Sequence, residues 1–370
     1  MTDVRQADTA KLDTAKLDTA TVDGGRADTA TVAGAKVDAG GVASKGGGPP
    51  TAAPSPARPT GRKAEGRDPR DLALRNFALS ITVFNILGYT VLGFEQPWMF
   101  PFLALALGYS LEIGIEMLSA WAGHRPTAWH GRGAWGVYTF LLPAHITSLV
   151  VNMLLYANTR FWAVAFGVVI GVGAKAVLRA PIKGRFKHFM NPSNFGVSVA
   201  LLVFPWISIA PPYQFTENVP DVFRVMVPMI VLTAGTILNA TLTRKVPLIV
   251  GWVGGFVIQA LIRYLIWDVA LFSALSVMTG VAFVLFTNYM ITDPGTSPFP
   301  PRAQFMFGSA VAMVYGALMA FNIVYGLFFA VTIVCAGRGA YWWVRWLRQR
   351  RQDRKQRAGS SAELGRAVTT

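Results

Sequence analysis

From about residue 72 onward, the chain alternates long apolar stretches with short polar ones. Most of the apolar stretches approach the roughly 20 residues that a helix needs to cross a bilayer. No amphipathic surface helices separate them, which argues against a soluble protein with a large core. We predict an all-α, polytopic membrane protein with about ten transmembrane helices. The fifth and tenth predicted spans are short, which leaves nine or eleven open. The spans are Leu74–Gly93, Trp98–Ala120, Ala134–Tyr156, Phe161–Leu178, Phe195–Ile209, Val222–Leu238, Val246–Ile266, Leu271–Ile291, Phe305–Phe321 and Ile323–Ala336.

The first 70 residues belong to a different class of sequence. Five-residue Asp-Thr-Ala units repeat at Asp8–Leu12 and Asp13–Leu17, with related copies at Asp18–Val22 and Asp28–Val32. This period matches neither a helix nor a strand, and the segment has almost no aromatic surface to bury. We expect residues 1–70 to be a disordered low-complexity tail, and a partner-binding role is the less favoured alternative. The transmembrane domain then spans 71–338, and a basic, aromatic-rich tail spans 339–370.

The formal net charge of +15 is distributed unevenly over the loops. The loops that should lie on one side of the membrane carry nearly all the basic residues, whereas the other side has only Arg160, Arg224 and Arg263. The positive-inside rule therefore puts both termini and the basic loops in the cytoplasm. We expect a multi-pass protein of the cell (inner) membrane. The run from Trp342 to Arg351 is typical of an anchor on anionic lipid, with RNA binding the less favoured alternative. We expect the lipid bilayer as a partner and no nucleic acid.

Ionisable residues inside predicted spans are energetically costly and therefore informative. Glu112 and Glu116 lie one helical turn apart in the second span, His145 is near the middle of the third, and Lys175 is near the end of the fourth. In one interpretation Glu112, Glu116 and His145 are catalytic residues that couple protons. In the other, Lys175 pairs with one glutamate, while the second glutamate and His145 are hydrogen-bonded packing residues.

Two loops break the apolar pattern on the basic side. Asn191–Asn194 contains a proline where the fifth span begins, and Thr292–Arg302 carries Asp293 among prolines and a glycine. Asn and Ser with free backbone N–H groups at a helix start form a polar site, although an ordinary N-cap explains the same residues. A carboxylate in a loop at the membrane edge is suited to a cation or a polar ligand. Because both loops should lie on one face, a shared pocket is favoured.

The sequence lacks the residues that several kinds of site require. The single cysteine, Cys335, provides neither a disulfide within the chain nor the several thiolates of an iron–sulfur cluster. The sequence has no P-loop and no dinucleotide fingerprint. We expect no metal site, no ATP site and no nicotinamide site.

The two loops also carry a family resemblance. N-P-S-N-F-G at Asn191–Gly196 resembles the N-P-A-x-x-G motif of the NqrB/RnfD family, the membrane flavin subunits of the sodium-pumping NADH:quinone oxidoreductase and of the Rnf complex. T-D-P-G-T-S-P at Thr292–Pro298, preceded by the small-residue stretch Met278–Phe283, looks like that family's T-D-P-x-T-x-P. The resemblance covers roughly Ala73 to Gly337. A closer likeness is to the UnbU-like proteins found among enediyne antibiotic biosynthesis genes, through the stretches Phe77–Val83, Leu142–Thr147, Phe204–Asn218 and Leu238–Ile249.

The resemblance implies electron transfer through a bound flavin that supports a redox step of enediyne biosynthesis. The flavin-binding residues it implies are Asn191, Pro192, Asn194, Gly196, Thr292, Asp293 and Thr296. RnfD-type subunits attach FMN to a threonine in a long outer loop, whereas here that loop shrinks to about Ala210–Asp221 and its only threonine, Thr216, does not match the attachment motif. The cofactor implied is therefore a noncovalent flavin (riboflavin or FMN), with covalent FMN disfavoured.

Three functions remain open at this point. As an electron-transfer subunit, the chain needs a redox partner protein, because it has no nicotinamide site or cluster ligands of its own. The alternative is a proton-coupled exporter or self-resistance protein that carries the product or an intermediate. A third is a membrane scaffold that gathers enediyne biosynthetic enzymes through the basic tails.

Overall fold

The computed structural model describes residues 69–182 and 184–368, and this part of the chain is almost entirely helical. The helices are α1 (Pro69–Leu87, continued by a π-helical turn, Gly88–Leu92), α2 (Phe100–Ala122), α3 (Gly133–Leu154), α4 (Phe161–Val177), α5 (Pro192–Val203), α6 (Asp221–Thr241), α7 (Val246–Trp267), α8 (Leu271–Ser276), α9 (Val281–Leu285, continued by a π-helical turn, Phe286–Met290), α10 (Pro301–Ala320) and α11 (Gly326–Val368). Short 3₁₀ turns cover Pro212–Phe215 and Val277–Thr279. The strands are β1 (Leu155–Tyr156), β2 (Arg179–Ile182), β3 (Arg185–His188) and β4 (Ser208–Ile209), paired β1–β4 and β2–β3. The predicted disorder of residues 1–70 falls, up to residue 68, outside the described residues.

The helices confirm the main part of the prediction, which is an all-α protein with several membrane-spanning helices. Within the described residues, seven helices are long and apolar enough to cross a bilayer: α1, α2, α3, α6, α7, α10 and α11. An eighth span is formed if the pair from α8 to the turn after α9 counts as one broken span. The two remaining apolar helices, α4 and α5, are shorter. Each predicted span therefore coincides with a helix or a broken helix, and the fold is all-α and polytopic.

Two predicted spans are broken by the local sequence. The fifth was expected over Phe195–Ile209, but α5 ends at Val203, before Phe204-Pro205, and the chain continues into β4. At 12 residues, α5 is about 18 Å long and shorter than the roughly 30 Å bilayer core. The eighth bends by 65° at Gly280, which has an extended backbone (φ −77°, ψ 144°). Both breaks lie where an unbroken helix was expected.

Close backbone contact holds two helix pairs together. A side chain at Gly308 in α10 would collide with the carbonyl oxygen of Leu248 in α7. Likewise, a side chain at Gly196 in α5 would collide with the carbonyl oxygen of Gly167 in α4. In lipid, small residues that allow backbones to approach are a main source of helix association. Gly196 is therefore a packing residue at the α4–α5 crossing.

The last helix crosses the predicted boundary between 338 and 339 without a break. α11 has 43 residues, which correspond to about 65 Å, roughly twice the thickness of the bilayer core. The β2–β3 hairpin packs on it, because Trp343 Nε1 donates to the Arg179 carbonyl at 3.0 Å and Phe186 contacts the rings of Trp343 and Trp346. The predicted tail is thus the continuation of a membrane helix. We call the end of the bundle that carries the β2–β3 hairpin and the outer part of α11 the basic end.

Candidate functional site

A cavity of about 280 Å³ lies between α1, α3, α5, the α9 segment and α11. One face of α3 lines it from Pro143 through Thr147 and Val150 to Leu154, at helical spacing. Those eleven residue steps correspond to about 17 Å along the helix axis. Most of the remaining wall is apolar, with the rings of Phe77, Phe215, Phe286, Tyr289 and Phe328 among the lining side chains. The cavity is therefore long and mainly apolar.

The two loops singled out in the sequence meet at one end of this cavity. Asn191 Oδ1 accepts from the Asn194 backbone N–H at 3.2 Å and from Ser193 Oγ at 3.1 Å, which makes Asn191 the N-cap of α5. Its Nδ2 donates to the Met290 carbonyl at 2.8 Å, across 99 positions of sequence. Asn191 is 4% exposed, and both Asn191 and Asp293 line the cavity. One side chain thus starts a helix and ties it to the π-helical turn that directly precedes the Asp293 loop.

Local hydrogen bonds fix the carboxylate of Asp293. Its Oδ2 accepts from Thr296 Oγ1 at 2.6 Å, and its Oδ1 accepts from the Gly295 backbone N–H at 3.3 Å. Its carbonyl accepts from Ser297 Oγ at 2.6 Å, while Thr292 Oγ1 donates to the Asn288 carbonyl at 2.6 Å. Prolines and a glycine keep this segment from continuing as a helix, so these short side chains supply its hydrogen bonds. The loop holds the carboxylate at the cavity wall.

Two cations, one fully buried and one partly buried, hold the backbone of the same loop. Lys245, which is fully buried, donates through Nζ to the Pro298 carbonyl at 2.7 Å and lies 4.8 Å from the ring centroid of Phe299. Arg338 in α11 donates to the Thr296 carbonyl. Burial lowers the pKa of Lys245 to about 8, although the charge of Asp293 opposes that shift. The two cations hold the loop from two different elements, Lys245 from the N-cap position of α7 and Arg338 from α11.

Lys175, His188 and Asp293 form the polar end of the cavity. Lys175 Nζ also forms an ion pair with Glu112 Oε2 at 2.5 Å. The β2–β3 register pairs Arg179 with His188, which returns His188 to the end of α4. A Cβ built on Gly295 would lie 3.2 Å from His188 Nε2 and 3.4 Å from Asp293 Oδ2, so both side chains border the same glycine. Burial lowers the pKa of His188, and Asp293 opposes this effect. The polar end combines hydrogen-bond donors with a carboxylate acceptor.

The three proton-coupling candidates have separate partners. Glu116 accepts from Arg125 at 2.6 and 3.0 Å and from the Ala128 backbone N–H at 2.8 Å. His145 Nε2 lies 2.7 Å from Thr82 Oγ1, and its Nδ1 lies 2.6 Å from the Tyr109 hydroxyl. Glu112 pairs with Lys175, as one of the two interpretations expected. Only this pair adjoins the cavity, through Lys175.

Of the flavin-binding residues that the resemblance implies, some line the cavity and others hold the surrounding helices together. Asn191, Pro192 and Asp293 line the cavity. Asn194 instead donates through Nδ2 to the Phe328 carbonyl and to Thr332 Oγ1, both at 2.9 Å, and so ties α5 to α11. Sequence reasoning did not single out His188, Lys245 or Arg338 for this site. The two cations bind backbone carbonyls, and such partners leave no trace in a sequence motif.

No protein-family model matches the chain, and no curated protein matches it at a significant level. Its class is defined by its own structure: it is a multi-pass α-helical membrane protein with a long, mainly apolar internal cavity that is polar at one end.

Proposed function

We propose that this protein binds a noncovalent flavin in the cavity and transfers electrons at the membrane, as an NqrB/RnfD-type, UnbU-like subunit that supports a redox step of enediyne biosynthesis. One observation carries the proposal: Asn191 of the first motif donates to the Met290 carbonyl, two residues before the second motif, and residues of both motifs border one cavity. A bound flavin would supply the redox chemistry, and the protein would supply binding and orientation.

The residues at the polar end suit a flavin. The pyrimidine edge of an isoalloxazine presents one N–H donor between two carbonyl acceptors. Asp293 is available to accept from such a donor, and Lys175 and His188 carry N–H groups suited to the carbonyls. The aromatic wall offers faces and edges to a flat ring system, with Tyr289 already edge-on to Phe77 at 5.3 Å between ring centroids. The polar residues therefore match the pyrimidine edge of a flavin, and the aromatic wall matches its flat ring system.

The topology that we propose has ten membrane segments and both termini in the cytoplasm of an inner-membrane protein. In the described part of the chain, the seven long helices, the bent pair and the two shorter apolar helices make ten. The basic end carries the hairpin, the Asp293 loop and the outer part of α11, in line with the positive-inside rule. The polar end of the cavity would then face the cytoplasm, where a soluble redox partner has access.

The size of the cavity helps to separate the candidate functions. At about 280 Å³ it is near the lower limit of about 300 Å³ for small-molecule pockets, which favours a ring-sized ligand over a whole polyketide product. The exporter remains the second candidate for a specific reason. The cavity reaches from Asp293 at the basic end to Ile209 and Phe215 near the other end, with titratable groups at one end only. That arrangement is also suited to proton-coupled passage.

The experiment is a flavin assay on full-length protein purified into nanodiscs and incubated with riboflavin or FMN. We expect a visible flavin spectrum near one flavin per chain, fully released by acid because the link is noncovalent. Asp293→Asn should reduce occupancy at least tenfold. The matched Asp221→Asn, at a carboxylate that is 94% exposed, should leave occupancy unchanged. A colourless protein after incubation refutes the flavin, and proton-dependent efflux from vesicles would then favour the exporter.

A further inference from the structure

Counted from Gly326, the roughly 20 residues that a bilayer core requires end near Arg345, and after that point α11 carries a one-sided row of positive charge. Between Leu347 and Ala358 the sequence has six basic residues, one acidic residue, Asp353, and no apolar residue. All ten residues are exposed, and no acidic side chain in the described part of the chain forms a salt bridge with this segment. We call the six basic residues the basic stripe: Arg348, Arg350, Arg351, Arg354, Lys355 and Arg357.

The stripe occupies one side of the helix. At about 100° per residue, its members fall within roughly half of the circumference, while Gln349, Gln352, Asp353 and Gln356 occupy the other half. Arg350, Arg354 and Arg357 continue the side on which Trp343 and Trp346 contact the hairpin, and Arg350 lies 4.1 Å from the ring centroid of Trp346. The stripe therefore rises directly above the β2–β3 hairpin.

The hairpin forms the second wall of this surface. Its residues Arg185 and Lys187 are exposed, and the next residue, His188, lines the polar end of the cavity. Stripe and hairpin thus form a basic corner immediately beside that end. A molecule seated in the corner would be next to whatever the cavity holds.

Lipid alone does not account for the stripe. A helix that lies in the membrane surface needs an apolar face, and the segment from Arg348 to Arg357 has none. In an upright helix the residues nearest the bilayer still meet anionic headgroups, but that attraction fades within a Debye length of about 8 Å. The helix is also held upright on the hairpin by the Trp343–Arg179 hydrogen bond, and no proline or glycine between Ala340 and Arg357 offers a kink. Sites for single-stranded nucleic acid interleave basic and aromatic side chains, and no aromatic residue lies between Leu347 and Ala358. Charge complementarity instead points to an acidic protein surface.

We propose that a soluble protein with an acidic surface docks in the basic corner formed by the stripe and the hairpin. The proposal deepens the proposed function by naming the surface for the redox partner, yet binding at the corner does not require a flavin in the cavity. Complementary charge would steer the partner and orient it toward the polar end.

The test uses full-length protein in zwitterionic nanodiscs and a recombinant flavodoxin of net negative charge as the probe. Two triple variants carry the same change in net charge on opposite sides of the helix: Arg350→Gln/Arg354→Gln/Arg357→Gln on the stripe, and Gln349→Glu/Gln352→Glu/Gln356→Glu as the control. We expect the stripe variant to weaken binding about tenfold at low salt and the control to change it by less than about threefold, measured by biolayer interferometry. Arg185→Gln/Lys187→Gln should also weaken binding, because the hairpin is the other wall.

Three outcomes would overturn the proposal. Equal weakening by both triple variants would mean that only the overall charge matters. Loss of probe binding when phosphatidylglycerol is added to the discs would assign the stripe to lipid. Tighter, stripe-dependent binding of an oligouridylate than of the acidic protein would assign it to RNA. A protein that stays free of flavin after incubation with riboflavin or FMN, yet still shows the face-dependent binding, would refute the proposed cofactor and leave this surface intact.

Discussion

Replacing Asn191 with alanine tests whether one side chain both starts α5 and ties it to the turn that precedes the Asp293 loop. The substitution removes the cap bond from the Asn194 backbone N–H, which contributes about 1 kcal/mol in typical helices. It also removes the bond from Nδ2 to the Met290 carbonyl, and such bonds inside membrane proteins average about 0.6 kcal/mol. The Met290 carbonyl keeps a long contact with the Asp293 N–H at 3.4 Å, so little further cost is added. We expect a total loss of about 2 kcal/mol in the free energy of unfolding.

The assay is unfolding of the micelle-embedded protein by SDS, followed by tryptophan fluorescence. Asn191→Ser serves as the partial variant, because its hydroxyl keeps an acceptor for the cap and loses only the bond to Met290. We expect it to cost about 0.6 to 1 kcal/mol, roughly half of the alanine effect. A cost below about 0.5 kcal/mol for alanine, or equal costs for serine and alanine, would show that this account of Asn191 is wrong.

Two further predictions concern packing and pH. Gly308→Ala should destabilise the protein by about 1 to 3 kcal/mol in the same unfolding assay, because its Cβ meets the backbone of α7. The control is Gly254→Ala, whose Cβ would meet nothing within 4 Å and which should be neutral or slightly stabilising. Equal effects of the two substitutions would contradict the backbone-contact argument. Since burial lowers the folded-state pKa of Lys245 to about 8 while the unfolded chain keeps about 10.4, the unfolded state binds more protons between these values and stability should rise with pH across that window by up to about 3 kcal/mol. Thermal midpoints of the wild type and Lys245→Met from pH 7.5 to 10.5 check this, and a rise that persists in the variant would show that another group causes it.

The membrane fold was largely accessible from the sequence because hydropathy acts over whole segments. The breaks were less accessible, since they depend on single residues within apolar runs. Gly280 bends the eighth segment by 65°, yet the run from Leu271 to Ile291 has the length and hydropathy of one span. Pro205 follows the early end of α5 in the same way. An average of hydropathy over a window of residues changes little at a single glycine or proline, so it reveals neither break.

The candidate site was predictable where its residues form motifs and not where they bind backbone. Asn191 and Asp293 stood out because proline and glycine surround them, and the structure places both on one cavity. Lys245 and Arg338 did not stand out in the sequence, because their partners are the carbonyls of Pro298 and Thr296. His188 reached the cavity through the hairpin register, a tertiary effect. For Glu112 and Lys175, overlapping depth was enough to offer the ion pair as one of two alternatives.

The contacts of α11 also set an order of assembly. The Asn191 loop and the Asp293 loop are synthesised before α11, yet Asn194 is held by Phe328 and Thr332, and Thr296 by Arg338, all on that helix. During synthesis, the earlier segments can insert into the bilayer while both loops still lack these partners. The cavity therefore acquires its final shape only when α11 packs against the bundle, so maturation of the site is tied to completion of the membrane domain.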